Sequence, residues 1–481
     1  MNVPALPPFP APATAGLQGT PGLRRVLVAN RGEIAVRVVR ACQALGLEAV
    51  AAVSEADTDS LAARHAGRQV LVGPPPPAQS YLAIERLIDA ARRSGCDAVH
   101  PGYGFLSERA AFAQACVDAG LTFVGPSPAA IEAMGDKIAA ARLAAAVGVP
   151  RVPGSNAVAD AAAAQAVAET IGYPVLVKAS AGGGGRGMRL VRDASQLAAA
   201  FASAAAEATA AFGDGTLYVE KLIERARHIE IQLMADRHGN VVHLGERDCS
   251  TQRRHQKLIE ESPSPRLTQA QRAAMSTAAV ALARRVSYQG AGTVEFVLDD
   301  DDGRFYFLEM NTRIQVEHPV TEMVTGVDLV AEQLRVAAGL ALSFTQEQAA
   351  TSGHAIECRI NAEDPQRNFL PRPGVVARWA PPEGDGIRCD SHCHDGYTVT
   401  PYYDSLLGKL IVHAPTRDEA IARMVDALQR LQIEGPATTA PFHRAVLAHP
   451  DFGAGRVTTR WVEAVFIPER KAAAAQPRAA A

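Results

Sequence analysis

Tyr173 to Asp193 reads YPVLVKASAGGGGRGMRLVRD, and the order of its parts restricts the fold. Gly182, Gly184 and Gly187 match the G-x-G-x-x-G spacing of dinucleotide-binding folds. That fingerprint needs a helix directly after the glycines, whereas MRLV reads as a strand. The segment therefore runs strand, glycine loop, strand. Four consecutive glycines, Gly182 to Gly185, cost chain entropy that a plain turn does not require. The expectation is a hairpin that can fold over polyphosphate and offer backbone N–H groups, with Lys178 on the preceding strand for phosphate oxygens, rather than a merely flexible tip. The sequence contains no G-x-x-x-x-G-K-[ST] stretch, which excludes a P-loop.

Downstream, GTVEFVLDDDDGRFYFLEMN reads as two strands around an Asp/Gly turn. That hairpin brings Glu295 near Glu309, and with Asn311 it makes an oxygen-only site suited to Mg²⁺ on nucleotide phosphates. The next residues, FLEMNTRIQVEHPV from Phe307 to Val320, alternate polar and mostly apolar positions, as extended chain does. Read as one strand, the stretch puts Glu309, Asn311, Arg313, Gln315 and Glu317 on one face. Solvated surface strands usually carry Thr, Lys or Ser, so this set of acids, amides and a guanidinium has the character of ligands.

Upstream, RVLVAN is a strand, and GEIAVRVVRACQALG lines Ile34, Ala35, Val38, Val39, Cys42 and Leu45 along a helical stripe. EAVAAVS, QVLVG, DAVHPG and LTFVG follow as strands, separated by helices such as SYLAIERLIDAARRSG behind a Ser80 cap. This βαβ series predicts a doubly wound parallel sheet to about residue 125. Residues 127–352 mix helices with strand pairs in an α+β arrangement. Residues 353–466 open with HAIECRINAED, continue as turn-rich antiparallel chain and include the helix TRDEAIARMVDALQRL. The Pro/Ala-rich residues 1–22 and the closing residues 467–481 read as disordered tails.

The 481 residues suffice for about three domains. A net charge of -3 gives no global pull toward nucleic acid or anionic lipid, so an anionic ligand must be held by local groups. Seven cysteines are too sparse for a disulfide framework, no apolar run approaches a membrane span, and no secretion signal opens the chain. The expected setting is cytoplasmic. Only six of the 48 basic residues are lysine: Lys137, Lys178, Lys221, Lys257, Lys409 and Lys471. Each marks a place where a compact, mobile ammonium is favoured over a planar guanidinium.

ANRGEIAVR, HPGYGFLSE, MGDK, KASAGGGGRGM, ERDCSTQRRHQKLIEE, FLEMNTRIQVEHPVTE and ECRINAEDP together resemble the biotin carboxylase subunit of bacterial acetyl-CoA-type carboxylases, an ATP-grasp fold. The resemblance runs from about residue 24 to about residue 466. It implies an N-terminal α/β domain at 23–126, an ATP-grasp domain at 127–352 with a glycine-rich lid at about 151–222, and a C-terminal domain at 353–466. It also implies that Lys137, Lys178, Gly184, Gly185, Glu220, Lys221, Leu222, Ile223, His228, Gln252, His255, Glu295 and Glu309 contact ATP. Glu295, Glu309 and Asn311 match the Mg²⁺ or Mn²⁺ face. Lys257, Arg313, Gln315 and Val316 match the bicarbonate pocket, Glu317 the base that deprotonates bicarbonate, and Tyr103 and Arg359 the biotin site. Ala181 departs from the family, which usually has a fifth glycine there.

The resemblance further implies a homodimer that receives biotin on a biotin carboxyl carrier protein and works with carboxyltransferase subunits toward malonyl-CoA for fatty acid synthesis. No Met-Lys-Met context for a biotinylated lysine occurs in the sequence, in keeping with a separate carrier. The nearest rival is another ATP-grasp ligase, of carbamoyl-phosphate or purine-pathway type. It would share the glycine hairpin and the acids but not HPGYGFLSE or ECRINAEDP. A nucleotide sensor without catalysis would be expected to have lost Glu317, Arg313 or a metal acid. Cys389, His392, Cys393 and His394 in RCDSHCHDG resemble zinc ligands, but a second cluster is missing and Cys393 and His394 would point apart on a strand.

Overall fold

A computed structural model describes residues 23–180 and 187–475. Ala181, Gly184, Gly185 and the N-terminal extension lie outside the described residues.

The parallel sheet forms from strands whose side chains are buried on both faces. β1 (Arg25–Val28), β2 (Glu48–Ser54), β3 (Gln69–Gly73), β4 (Ala98–His100) and β5 (Thr122–Phe123) pair in the order β3-β2-β1-β4-β5, all parallel. The helix Gly32–Ala44 follows β1 and buries its expected stripe of Ile34, Ala35, Val38, Val39 and Cys42. Its other side is buried as well. Arg37 donates to Glu322 at 2.8 Å, and Glu33 lies 3.0 Å from Lys409, so this helix is wedged between the first sheet and later parts of the chain. The helix expected behind Ser80 begins instead at Ile84. The Ser80 hydroxyl donates to the Pro76 carbonyl, and Tyr81 turns inward to donate to Asp57 at 2.7 Å. Burying that ring with its hydroxyl satisfied outweighs one more helical turn.

β6 (Val175–Ala179), β7 (Met188–Val191) and β8 (Leu217–Lys221) form a small antiparallel sheet in the order β7-β6-β8, with Lys178 opposite Met188. Gly187 has φ +68°, and a Cβ there would come within 2.8 Å of the Ala179 Cβ, so the hairpin closes only over glycine. The helices Ala161–Ile171 and Ala194–Phe212 cover this sheet. Its core of Ala164, Ala168, Val175, Val177, Leu197, Ala204, Ala208 and Val219 contains only lid residues.

The largest sheet has eight strands. β9 (Ala226–Ala235), β10 (Val241–Arg253), β11 (Gln256–Ser262), β12 (Gly290–Asp299), β13 (Phe305–Asn311) and β14 (His354–Asn361) pair in the order β13-β12-β9-β10-β11-β14. The strands Leu406–Ala414 and Ile387–Ser391 then complete it beyond β14. Because β11 pairs with β14, Ile259 opposite Cys358 and Ser262 opposite Ala355, the ladder runs straight across residues 352 and 353.

The single strand read over Phe307 to Val320 stops at Asn311, and a helix spans His318–Thr325. Pro319 suits the first turn of a helix and cannot donate to a ladder. The Thr312 N–H, freed from the sheet, donates to Glu108 at 3.1 Å. Two further expectations need correction. Residues from 467 onward are not all tail, since Ile467–Ala475 is helical. His392, Cys393 and His394 lie past the end of the strand Ile387–Ser391, with His392 Nε2 3.1 Å from the Tyr397 hydroxyl.

Candidate active site

Register in the large sheet sets a row of charge. Glu309 on β13 is opposite Glu295 on β12, Glu295 is opposite Glu230 on β9, and Glu230 is opposite Arg247 on β10. Directly opposed residues project to the same face, so three acids and an arginine line up across four strands. Arg247 is fully buried. It donates to Glu230, to Gln232 at 2.6 Å, to Thr321 at 3.0 Å, to Thr293 at 3.2 Å and to Gln315 at 2.9 Å. Lys257, opposite Gln252, brings one ammonium to Glu230 at 2.6 Å, Glu295 at 3.0 Å and Glu317 at 2.6 Å.

These contacts settle the ionisation of the acids. Burial alone would raise Glu317, but Lys257, with Arg359 and Arg247 adding to it, holds its carboxyl down at about 2. Burial is likewise overcome at Glu295 by Lys257 and His228, and at Glu230 by Arg247 and Lys257, and both stay below the usual carboxylate range. Burial would lower His228, yet Glu295, 3.2 Å from its Nε2, raises it to about 9.

The turn after β13 distributes what alternation had placed on one strand face. Arg313 donates to Glu108 at 2.8 Å and to Asn311 Oδ1 at 3.0 Å. Gln315 donates to Glu295 Oε1 at 2.9 Å. The Val316 carbonyl accepts from Lys409 at 2.8 Å, and Glu317 Oε2 accepts from Arg359 Nη2 at 2.9 Å. Arg313 and Glu317 therefore have separate partners, Arg313 with Glu108 and Asn311, Glu317 with Lys257 and Arg359. Tyr103 is joined to this group indirectly. Its hydroxyl donates to Glu33, which pairs with Lys409.

Beside the glycine hairpin, Lys178 pairs with Glu220 at 2.8 Å and sits 5.4 Å from the Tyr218 ring centroid. Adjacent Lys221 points to the other face of β8 and donates to the carbonyls of Gly172 and Tyr173 at 3.1 and 2.9 Å. Leu222 donates its N–H to the Pro174 carbonyl, and Ile223 is half-buried. Lys137, at the start of the helix Lys137–Ala146, lies 3.5 Å from Glu309. Gln252 donates to the Cys249 carbonyl at 3.2 Å. His255 occupies the two-residue turn between β10 and β11, where Arg254 and His255 both have positive φ, +48° and +65°. The matched glycines 184 and 185 are not among the described residues.

The oxygens of Glu295, Glu309 and Asn311 form the donor set a hard divalent cation takes. Lys257 and His228 lie on Glu295, Lys137 on Glu309 and the Arg313 guanidinium on Asn311 Oδ1. Two carboxylates and an amide oxygen on paired strands are hard oxygen ligands that fit Mg²⁺ or Mn²⁺, which would displace Lys257 and Lys137 from them.

Sequence reasoning missed Glu230, Arg247, Glu108 and Lys409 as members of this group. A signal existed for the first. His228, Glu230 and Gln232 alternate with Ile229, Ile231 and Leu233 on β9, the same period-two pattern that drew attention to Glu309 and Asn311. Glu108 and Arg247 have no such signal, because their roles come from register and from contacts between distant segments, and Lys409 was marked only by the scarcity of lysine.

Residues 22–131 match the family described as biotin carboxylase, N-terminal domain, and residues 357–464 match biotin carboxylase C-terminal domain. Between them, residues 136–345 match carbamoyl-phosphate synthase L chain, ATP binding domain. The chain is 53% identical over 440 residues to a biotin carboxylase of Nostoc sp., covering 91% of this chain and 98% of that protein. It is 51% identical to a pyruvate carboxylase subunit of Methanothermobacter thermautotrophicus, covering 91% of this chain and 89% of that one. Among solved structures, the biotin carboxylase domain dimer of Hydrogenobacter thermophilus 2-oxoglutarate carboxylase, in complex with MgADP, ADP and bicarbonate, superposes with a TM-score of 0.88. The identity to that domain is 48%, over 92% of this chain and 97% of the other.

Proposed function

The chain belongs to the biotin carboxylase family, whose members are ligases, and from that premise we propose that it carboxylates biotin borne by a biotin carboxyl carrier protein, using bicarbonate and ATP. The observation that carries this reading is the placement of Glu317. Its two oxygens are shared between Lys257 of the bicarbonate pocket and Arg359 of the biotin side.

Bicarbonate enters against Lys257, Arg313, Gln315 and the backbone of Val316, and the ionised Glu317 takes its proton. The bicarbonate oxygen then attacks the γ-phosphate of ATP, in line, to give carboxyphosphate and ADP. Lys137, Lys178, His228, His255, Glu220 and Gln252, with the backbone of residues 184, 185 and 221–223, surround the nucleotide. Glu295, Glu309 and Asn311 hold Mg²⁺ or Mn²⁺, which when bound neutralises charge along the phosphates. Carboxyphosphate yields CO₂ and phosphate, phosphate removes the biotin ureido proton, Arg359, with Tyr103 beside the biotin site, stabilises the ureido oxygen as charge develops on it, and the ureido nitrogen adds to CO₂ to give carboxybiotin.

The acceptor of the complete carboxylase is proposed to be acetyl-CoA, in malonyl-CoA and fatty acid synthesis, with the chain acting as a cytoplasmic homodimer beside carboxyltransferase subunits. The names pyruvate carboxylase and 2-oxoglutarate carboxylase among its relatives mark the alternatives for that acceptor. The two flanking biotin carboxylase matches weigh against the carbamoyl-phosphate reading that the central match alone would allow.

Phosphate release from ATP, measured with bicarbonate and free biotin each omitted in turn, tests the reaction. Release is expected to require bicarbonate and to rise with biotin. Release indifferent to both would overturn the assignment, and the acyl-CoA carboxylated by the complex purified from the native host identifies the acceptor.

A further inference from the structure

Behind the Glu317–Arg359 contact lies a second pair of carboxyls that the reaction above does not use. Glu260 on β11 and Glu357 on β14 are direct cross-strand partners, and both are fully buried. Opposed residues in an antiparallel pair share a face. Arg359, two residues after Glu357 on β14, shares it too, and Lys409 opposes Arg359 from the neighbouring strand. The helix His318–Thr325 closes over this face through Val320 and Val324 against Ala355 and Ile411. The Arg359 guanidinium is divided between two acids. Its Nε donates to Glu260 Oε1 at 2.6 Å and its Nη2 to Glu317 Oε2 at 2.9 Å. Glu260 Oε2 and both oxygens of Glu357 have no hydrogen-bond partner among the described residues.

Two buried carboxyls side by side cannot both ionise cheaply. The cations near them are already engaged. Arg359 serves Glu260 and Glu317, Lys257 serves Glu230, Glu295 and Glu317, and Lys409 serves Glu33 and the Val316 carbonyl. His318, on the covering helix, is held neutral by burial and by Lys409 and Arg37.

Resting on the function proposed above, we propose that Glu260 is a positioning residue for the biotin half of the reaction: its ionised carboxylate anchors Arg359 Nε and aims the guanidinium at the reacting centre, while Glu357 keeps its proton and so leaves room for one negative charge. Protonation of Glu260 releases Nε and lets the guanidinium turn wholly to Glu317. Burial raises Glu260 to about 7 against the pull of Arg359, with Glu317 adding to the rise and Lys257 opposing it. Burial raises Glu357 well above the usual range, with Glu260 and Glu317 adding to the rise and Lys409 and Arg359 opposing it. Loss of the Glu260 proton therefore falls near neutral pH.

The full chain is assayed with free biotin as acceptor across roughly pH 5.5 to 9. The wild type is expected to gain kcat through an apparent pKa of about 7. Glu260→Gln is expected to lose that limb and at least about tenfold in kcat at the alkaline end, with KM for ATP held within about twofold. Glu260→Asp retains an ionisable group and is expected to keep the limb. A Glu260→Gln enzyme with wild-type kcat and an unchanged limb overturns the proposal, and so does a wild type without the limb should that variant fail to fold. Infrared difference spectra of the wild type between about pH 6 and pH 8 give a readout independent of turnover. A protonated-carboxyl band that disappears across that interval, and is missing in Glu260→Gln or altered in Glu260→Asp, supports the proton at Glu260. Its absence from the wild type overturns the proposal even if bicarbonate-dependent turnover is normal. The band in a protein that shows no such turnover would remove the proposed function and leave the Glu260 proton standing.

Discussion

At the scale of single residues, the proposed base is too weakly basic in the free protein for its job. With its carboxyl held down at about 2 by Lys257 and Arg359, Glu317 is ionised at neutral pH and well below it. Basicity must come from bicarbonate drawing Lys257 away when it binds. Glu317→Gln is therefore expected to lower kcat by about 10²- to 10⁴-fold with little change in KM for ATP. The acidic limb of the kcat profile should not be abolished. It should move to lower pH, because removing the Glu317 charge lets the neighbouring Glu260 ionise more easily. A limb that vanishes in Glu317→Gln would assign it to Glu317 itself. Proximity of the site residues was legible in the sequence: Glu309 and Asn311 share a strand with Glu295 opposite, Arg313 and Gln315 bond to Asn311 and Glu295, and Glu317 shares Lys257 with Glu295. Ionisation was not legible, because it depends on Arg247 and Lys257, whose distances to these acids are set by strand register.

Among elements, the hairpin joining β10 and β11 places function against stability. A two-residue turn with both central residues at positive φ is normally made by Asn-Gly, yet here Arg254 and His255 hold it. Non-glycine residues in that region cost on the order of 1 kcal/mol or more each. Replacing the pair by Asn-Gly is expected to raise the thermal midpoint while weakening ATP binding several-fold, as seen in melting curves and in KM for ATP. Unchanged KM would remove His255 from the nucleotide site. The glycine hairpin, the Glu295–Glu309 hairpin and the parallel character of the first sheet were readable from local pattern, because each depends on turn chemistry or on continuous apolar runs, whereas the order of the parallel strands was not. The end of β13 was misread because alternation persists through Glu317 after the ladder has stopped. Only Pro319 signalled the helix that follows.

For the whole molecule, buried acids pull stability in two directions as pH changes. Glu230, Glu295 and Glu317 have folded-state values below those of the unfolded chain, so their contribution is present above the unfolded value and is lost as pH falls through the folded one. Glu260 and Glu357 are raised, so the folded state binds protons that the unfolded chain releases, and their contribution declines as pH rises from about 4.5 toward 7 and beyond. Thermal midpoints are expected to climb steeply on leaving acid and then flatten below neutrality, and Glu357→Gln should lift the neutral and alkaline side alone. A midpoint that keeps rising through pH 7, or an unchanged alkaline side in Glu357→Gln, would argue against a protonated Glu357. The three-part organisation was expected from composition and motifs, whereas the sheet that unites the second and third parts was not, since pairing between β11 and β14 spans nearly a hundred residues and leaves no local mark. That continuous sheet bears on how such a chain can be divided. A cut in the gene after residue 352 would tear β14 from β11 and leave two naked strand edges facing water, each ready to pair with whatever chain it meets. The C-terminal region is thus not a part that can be cut away whole, and any chimera joined at that point must bring a β14 that pairs with β11.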